Sequence, residues 1–543
     1  MKNKQKYAAA AVAAMLLASG SVFAQSGTAN TATTTQTGTL NRAVSNQMMG
    51  TANVQSIVQE GDNNAVETVQ LGGVGNMASI TQIGVGNATG IWQTYGEGNE
   101  AEVYQQGGGN VTWVEQYGGA AKGAVANQYG NFNSVYINQP EGEDNIAEVN
   151  QSGNENGAFV QQAGGENNDA YVTQNGNLNS VFLDQSPGEN NDADIVQNGD
   201  DNYTFIGQYG GETNDAEVIQ EGNLNRASVG QYDGVNNNAD VTQLGIANYA
   251  RILQDGGEDN DADIDQDGTN NWAETNQIGG ENNDVEVDQA GTGNMAEVWQ
   301  VEGENNDADI VQDGEMNVAS ISQTGGESND ADITQQISIE NEASIVQEGG
   351  LNNEAEINQL HDYNNAFITQ LGGENNEAYI SQRGDYNNAD VTQIGGVGNY
   401  TDLDQRGEGM MSDILQDGGQ DNSVMVVQSG LGNYALVEQV DGLSNTAVVD
   451  QTGGFGDRAI ITQNGGDNNI AAIDQDGSFS TSTITQEMGS SNNAAISQYA
   501  ADSMADIYQT GVLNSASITQ SGELNNASIS QSGTGNSSVI NQQ

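Results

Sequence analysis

The groups best suited to chemistry in this 543-residue chain are its 75 carboxylates and its single imidazole. Asp169, Asp192, Asp215, Asn238, Asp261, Asp284, Asp307 and Asp330 recur every 23 residues. A parallel series runs Asp194, Glu217, Asp240, Asp263, Glu286, Asp309 and Asp332, and a third runs Glu166, Glu189, Glu212, Glu258, Glu281, Glu304 and Glu327. Paired-acid catalysis needs two carboxyl groups set apart by their surroundings. A strict repeat sets none apart. His361 stands two residues after Gln359, has no partner evident in the sequence, and is expected to be an exposed turn residue. The expectation is a protein that is not an enzyme and has no catalytic residue or organic cofactor.

Repeated carboxylates do have a chemistry as a column. Stacked in register they stand about 4.8 Å apart, and each adjacent pair repels by about 1 kcal/mol even in water. Such a column needs counterions, protonation or bridging by divalent cations. Asp169, Asp192, Asp215, Asp261, Asp284, Asp307 and Asp330 are therefore a candidate cation ladder. A plainer reading, a solvated face that prevents sideways clumping, is favoured. No segment has the form of a dedicated calcium loop, nor of the Gly-Gly-x-Gly-x-Asp solenoid repeat.

The elements that must hold these columns are set by glutamine. From Gln36 to Gln542 a Gln recurs 45 times, at 22 steps of eleven residues and 22 of twelve, so two steps average 23 residues. Six residues before each Gln stands Asn in 40 of 45 cases, the exceptions being Lys122, Met410, Asp457, Ser480 and Ser503. Four before stands Ala in 32 cases, and two before stands Ile, Val or Leu in 40. Positions two apart share one face of a strand and are scattered around a helix. Each repeat is thus a seven-residue strand followed by a Gly-containing turn of four or five residues. Asn514, Ala516, Ile518, Gln520 and Asn525, Ala527, Ile529, Gln531 are two complete inward sets. With the second strand of a rung running back across the first, Ala opposes Ile and Asn opposes Gln, which suits a narrow dry core. Asn and Gln side chains are expected to ladder along the stack. The fold class is all-β: a β-solenoid of 22–23-residue repeats, two strands per rung, about 22 rungs, stacked as cross-β.

This pattern resembles the curlin repeat, Q-x-G-x-x-N-x-A-x-I-x-Q, matched by Gln509, Gly511, Asn514, Ala516, Ile518 and Gln520. The resemblance covers residues 30 to 542. It implies a secreted subunit that polymerises with itself into cross-β fibres of a bacterial biofilm matrix, with a minor nucleator subunit and an outer-membrane secretion pore as partners. The chain is several times longer than a typical curlin. It also shows only Gln25 to Ala29 where the family has a longer secretion-targeting segment.

Other features bound the setting. Lys2, Lys4 and Lys6, an apolar stretch from Ala8 to Ala18, and Val22-Phe23-Ala24 read as a signal peptide over residues 1–24. A short segment, 25–29, and the solenoid, 30–543, follow. A net charge of −65 argues against nucleic acid and anionic membrane surfaces. No segment reads as a bilayer span after the signal, and the absence of Cys excludes disulfides. The protein is expected to be secreted to the cell surface and not to be an integral membrane protein.

Acid is sparse at both ends: residues 25–59 have no Asp or Glu and residues 510–543 have only Glu523. Asn30 and Gln36 at one end, and Asn536, Ile540 and Gln542 at the other, are expected to form polymerising edges. Two consecutive twelve-residue steps, Gln335 to Gln347 to Gln359, are expected to displace or interrupt the acidic columns. The aromatics Trp92, Trp113, Trp272, Trp299, Tyr209 and Tyr232 are placed on outer faces or turns. The leading functional reading is a fibre subunit, and the alternative is an acidic adhesin or nucleator that forms no long fibres. An ice-binding face would need a regular threonine array, and Thr242, Thr334 and Thr392 are too scattered to make one.

Overall fold

The computed structural model describes residues 22–499 and 501–543. Residues 1–21 of the expected signal peptide lie outside these. The chain divides into two units, the first ending at Thr269 and the second spanning Asn270–Gln543. Each is a parallel β-solenoid, and among the described residues the regular elements are all strands.

Strands between the two ends bury alternate residues. In Asp192–Asn198, Ala193, Ile195 and Gln197 are buried while Asp192 and Asp194 alternate with them on the outward face. The sequence alternation therefore becomes a two-sided strand, with its Asn-Ala-Ile-Gln face inward. Successive strands fall alternately into two sheets, here sheet I and sheet II in each unit. Within a sheet, each strand pairs in parallel with the strand one rung on. In sheet II of the first unit Ala147 pairs with Ala170, and Ala170 with Ala193. Like residues therefore meet like residues up each column. Across the core, Ser45 at an Ile position bonds Gln55 at an Ala position, as the antiparallel facing order requires.

The two amide columns work differently. Gln side chains form the expected ladder: Gln82 Nε2 donates to Gln105 Oε1 at 2.8 Å, and Gln105 Nε2 to Gln128 Oε1 at 2.8 Å. Asn mostly serves the backbone. Asn64 Oδ1 accepts from the Asn87 N–H at 3.0 Å, and Asn64 Nδ2 donates to the Gly84 carbonyl at 2.9 Å. A short side chain at the start of a strand reaches the adjoining turn more readily than its own copy one rung away. The glycine two residues after Gln has a separate cause. Gly130 has φ +115°, and a Cβ there would collide with the Gly153 carbonyl oxygen. Only glycine fits.

One expectation changes. The double twelve-residue step leaves the strand columns intact: Asp307 pairs with Asp330 and Asp330 with Glu354, while Asp309, Asp332 and Glu356 stay aligned. The extra residue, Ile337, is absorbed between Gln336 and Ser338, opposite Asp313 and Gly314, where the register shifts. Only the turn column is interrupted, by Leu351 after Glu327. At the other end, the backbone of Val22–Thr28 is a strand of sheet I, with Gln25 aligned to Gln47. Residues of the expected cleavage site and of the separate 25–29 segment thus lie in a sheet.

Candidate functional site: acidic columns and end strands

Parallel in-register pairing assembles the columns rung by rung. In the first unit Asp169, Asp192, Asp215, Asn238 and Asp261 form one run, and Asp194, Glu217, Asp240 and Asp263 another. In the second unit Asp284, Asp307, Asp330, Glu354 and Glu377 are aligned, and Glu286 leads to Asp309 and Asp332. All stand on the outer face of sheet II. Turn glutamates join in: Glu281, Glu304 and Glu327, with Leu351, line an open groove of about 590 Å³ along the second unit. Among the described residues no three carboxylate or imidazole groups converge on one point as metal ligands. The geometry is a line of neighbouring pairs.

Among the column carboxyls, Asp169, Asp192, Asp307, Asp309, Asp330 and Asp332 hold protons above the usual carboxylate range. Burial, then Asp215 and Asp169, push Asp192 up to about 6. Burial, then Asp307 and Asp332, push Asp309 up to about 7. Asp332 reaches about 7 through burial, Asp330 and Glu356. Asp169, Asp307 and Asp330 are also raised, with burial the first cause in each. At Asp192, Asp309 and Asp332 the columns take up protons between about pH 6 and about pH 7.

Sheet I of the first unit carries a different array that the sequence reading overlooked. Tyr136, Phe159, Phe182 and Phe205 stack with ring centroids 5.1, 4.7 and 5.5 Å apart. Their common spacing of 23 residues was the available signal. Trp92 and Trp113 lie 5.3 Å apart, and Tyr209 stacks on Tyr232 at 5.4 Å. Lys122, an exception to the Asn rule, is fully buried, with Nζ donating to the carbonyls of Tyr117, Gln139 and Glu141 at 2.8, 2.8 and 3.1 Å. Burial pulls it down to about 8, against the attraction of Glu141. His361 is exposed in a left-handed turn (φ 73°), and its carbonyl accepts from Asn341 Nδ2 at 2.8 Å. It fills a place usually held by glycine.

The end strands are less covered. Asn514, Ala516, Ile518 and Gln520 are buried, as are Ala527, Ile529 and Gln531, while Asn525 is half-buried. In the next strand, Ser537–Gln542, inward positions including Ile540 and Gln542 are only half-buried and Val539 is 65% exposed. Among the described residues that strand pairs on one side, with Ser515–Gln520. Asn536 Nδ2 donates to Asn514 Oδ1 at 2.9 Å, and Gln520 Nε2 donates to Gln542 Oε1 at 2.7 Å. At the other end Thr31–Thr37 pairs with Val54–Asp62, and Gln36 is exposed. Asn30 is half-buried and accepts from the Asn53 N–H at 3.1 Å.

The model of the curlin associated repeat matches eleven segments: 73–107, 123–153, 188–213, 211–245, 257–291, 280–314, 303–336, 373–395, 419–453, 488–511 and 514–543. Together they cover more than half of the chain. The chain belongs to the curlin-repeat family. No curated protein sequence matches it. Curlin repeats are structural units, which accords with columns that single out no reactive pair. No helix among the described residues is long and apolar enough to cross a membrane.

Proposed function

We propose that this curlin-repeat protein is a secreted structural subunit of a curli-like extracellular amyloid fibre, joining end to end by β-strand addition in a biofilm matrix and at adhesive surfaces. The observation that carries this reading is the contrast between buried ladders and the Ser537–Gln542 strand, whose inward residues are half-covered and which, among the described residues, pairs on one side. Such an edge is a template for another strand. Asn30 and Gln36 are the proposed joining residues at one edge, and Asn536, Ile540 and Gln542 those at the other. A nucleator subunit and an outer-membrane pore are the partners this role calls for. The acidic columns favour a second reading, an adhesin that presents a cation-binding face, with divalent cations as its ligands.

Fibre diffraction with negative-stain microscopy on residues 25–543 separates the two. Long fibres with a meridional reflection near 4.7 Å are expected. Short particles that never join would overturn the fibre role and favour the adhesin.

A further inference from the structure

In the second unit the Asn column changes chemistry over three rungs, running Asn433, Asp457, Ser480, Ser503 and Asn525. Asp457 is 1% exposed and keeps part of the Asn pattern. Its N–H donates to Asn433 Oδ1 at 2.9 Å, and its Oδ1 accepts from the Ser480 N–H at 2.8 Å. The other oxygen breaks the pattern. In the neighbouring rung a Cβ on Gly442 would meet both Asn445 Nδ2 and the Gly466 carbonyl oxygen, and those two atoms are hydrogen-bonded at 3.1 Å. A Cβ on Gly454 would meet Asp457 Oδ2 and the Gly477 carbonyl oxygen in the same way. Oδ2 thus sits in the seat of an amide donor, facing an acceptor, and has no hydrogen-bond partner. Two acceptors in contact inside a core cost stability unless something positive lies between them.

We propose that Asp457 is a proton-binding site built into the Asn column: folded, it is a neutral carboxylic acid whose Oδ2–H donates to the Gly477 carbonyl, and losing that proton loosens the adjoining turn. The seat is shaped for an N–H, and a proton on oxygen reproduces it. The next two rungs offer no amide, since Ser480 and Ser503 are short and Ser503 Oγ is committed to the Ala501 and Gly522 carbonyls, each at 3.2 Å. The charged groups nearby all belong to outer faces or turns. Glu438, Asp450, Asp474 and Glu487 stand at outward positions of the four strands packed around it. Arg458 lies over the Tyr434 ring, 4.9 Å from its centroid. Burial raises the Asp457 carboxyl, the Ser480 N–H opposes this, and Asp476 adds to it.

The sign follows from linkage. A carboxyl raised in the folded state is neutral in both states at low pH, and the unfolded or opened state gains as pH rises above the ordinary carboxylate range. Hydrogen exchange at the Phe479 and Ser480 amides, corrected for intrinsic rates, reads this opening. The test compares the native chain with Asp457→Asn, which restores the residue found here in 40 of 45 repeats and so keeps the fold. At pH 8 exchange in the native chain should be about tenfold faster than in the variant, and at pH 4 the two should agree. Equal exchange at pH 8, or a difference that persists unchanged at pH 4, overturns the proposal. So does protection of the native chain alone by added sodium, potassium or calcium chloride at pH 8, which would put a cation in the seat. The proposal stands independently of fibre formation.

Discussion

In the first unit the same rungs carry two unlike outer faces. Sheet I stacks Tyr136, Phe159, Phe182 and Phe205 ring over ring, while sheet II aligns Asp169, Asp192 and Asp215. The backbone operation is the same on both sides, parallel pairing that sets each residue beside its counterpart one rung on. Its energetic result has opposite sign. Stacked rings attract, and aligned carboxylates repel until protons or counterions intervene. The inward residues beneath both faces follow one pattern, so the core carries the fold whichever face lies above it.

The sharpest way to break that comparison is beneath the faces. Ile195 lies in an acidic-sheet strand, Ile206 lies in an aromatic-sheet strand, and both are 0% exposed. Replacing either with Ala should cost about 2–5 kcal/mol, read as a drop in urea midpoint, with similar losses on the two sides. A large inequality would show that the outer face governs the core. Next comes Phe182→Ala, which removes ring neighbours at 4.7 and 5.5 Å. Its loss beyond simple area should be about 1–3 kcal/mol, and no loss would mean that the rings merely cover the sheet.

A smaller effect is expected on the acidic face of the second unit. Asp309 and Asp332 are both pushed up to about 7, whereas in an unfolded chain they titrate near 4. The folded chain therefore holds protons that the unfolded chain releases. The stability these two groups contribute is fully present below about pH 4 and is lost as pH rises to about 7, with no further loss from them above that. The double variant Asp309→Asn, Asp332→Asn should flatten that slope, match the native chain at pH 4 and exceed it at pH 8 in urea unfolding. A loss at pH 8 would show that bridging cations, rather than repulsion, dominate the column. The weakest lever is salt. Raising ionic strength screens exposed charges within about 10 Å at 0.1 M, so growth of the proposed fibres at pH 8 should quicken with sodium chloride. Indifference to salt in light-scattering traces would detach assembly from the columns.

Much of this molecule was legible before any coordinates. Period-2 placement of Asn, Ala, Ile and Gln named the strand and its inward face, and 23-residue spacing named neighbours such as Asp192 and Asp215 in advance. Other roles depended on positions the sequence does not carry. That Asn64 ties down a turn while Gln82 ladders with its copy depends on side-chain reach in the folded strand. The alignment of Asp330 with Glu354 across a double twelve-residue step needed the turn that takes up the extra residue.

The sequence by itself determined the repeat, the strand, the buried set and the identity of each residue's neighbours along the stack, because a two-residue side-chain period and a 23-residue rung leave little choice. Tertiary structure alone decided where unlike chemistries meet. It put the Asp457 oxygen against the Gly477 carbonyl and the Lys122 ammonium among three backbone oxygens. It also made Gly130 indispensable beside Gly153. The physical reason is that these contacts depend on how a turn of one rung lies over a turn of the next, a relation set by backbone geometry and packing.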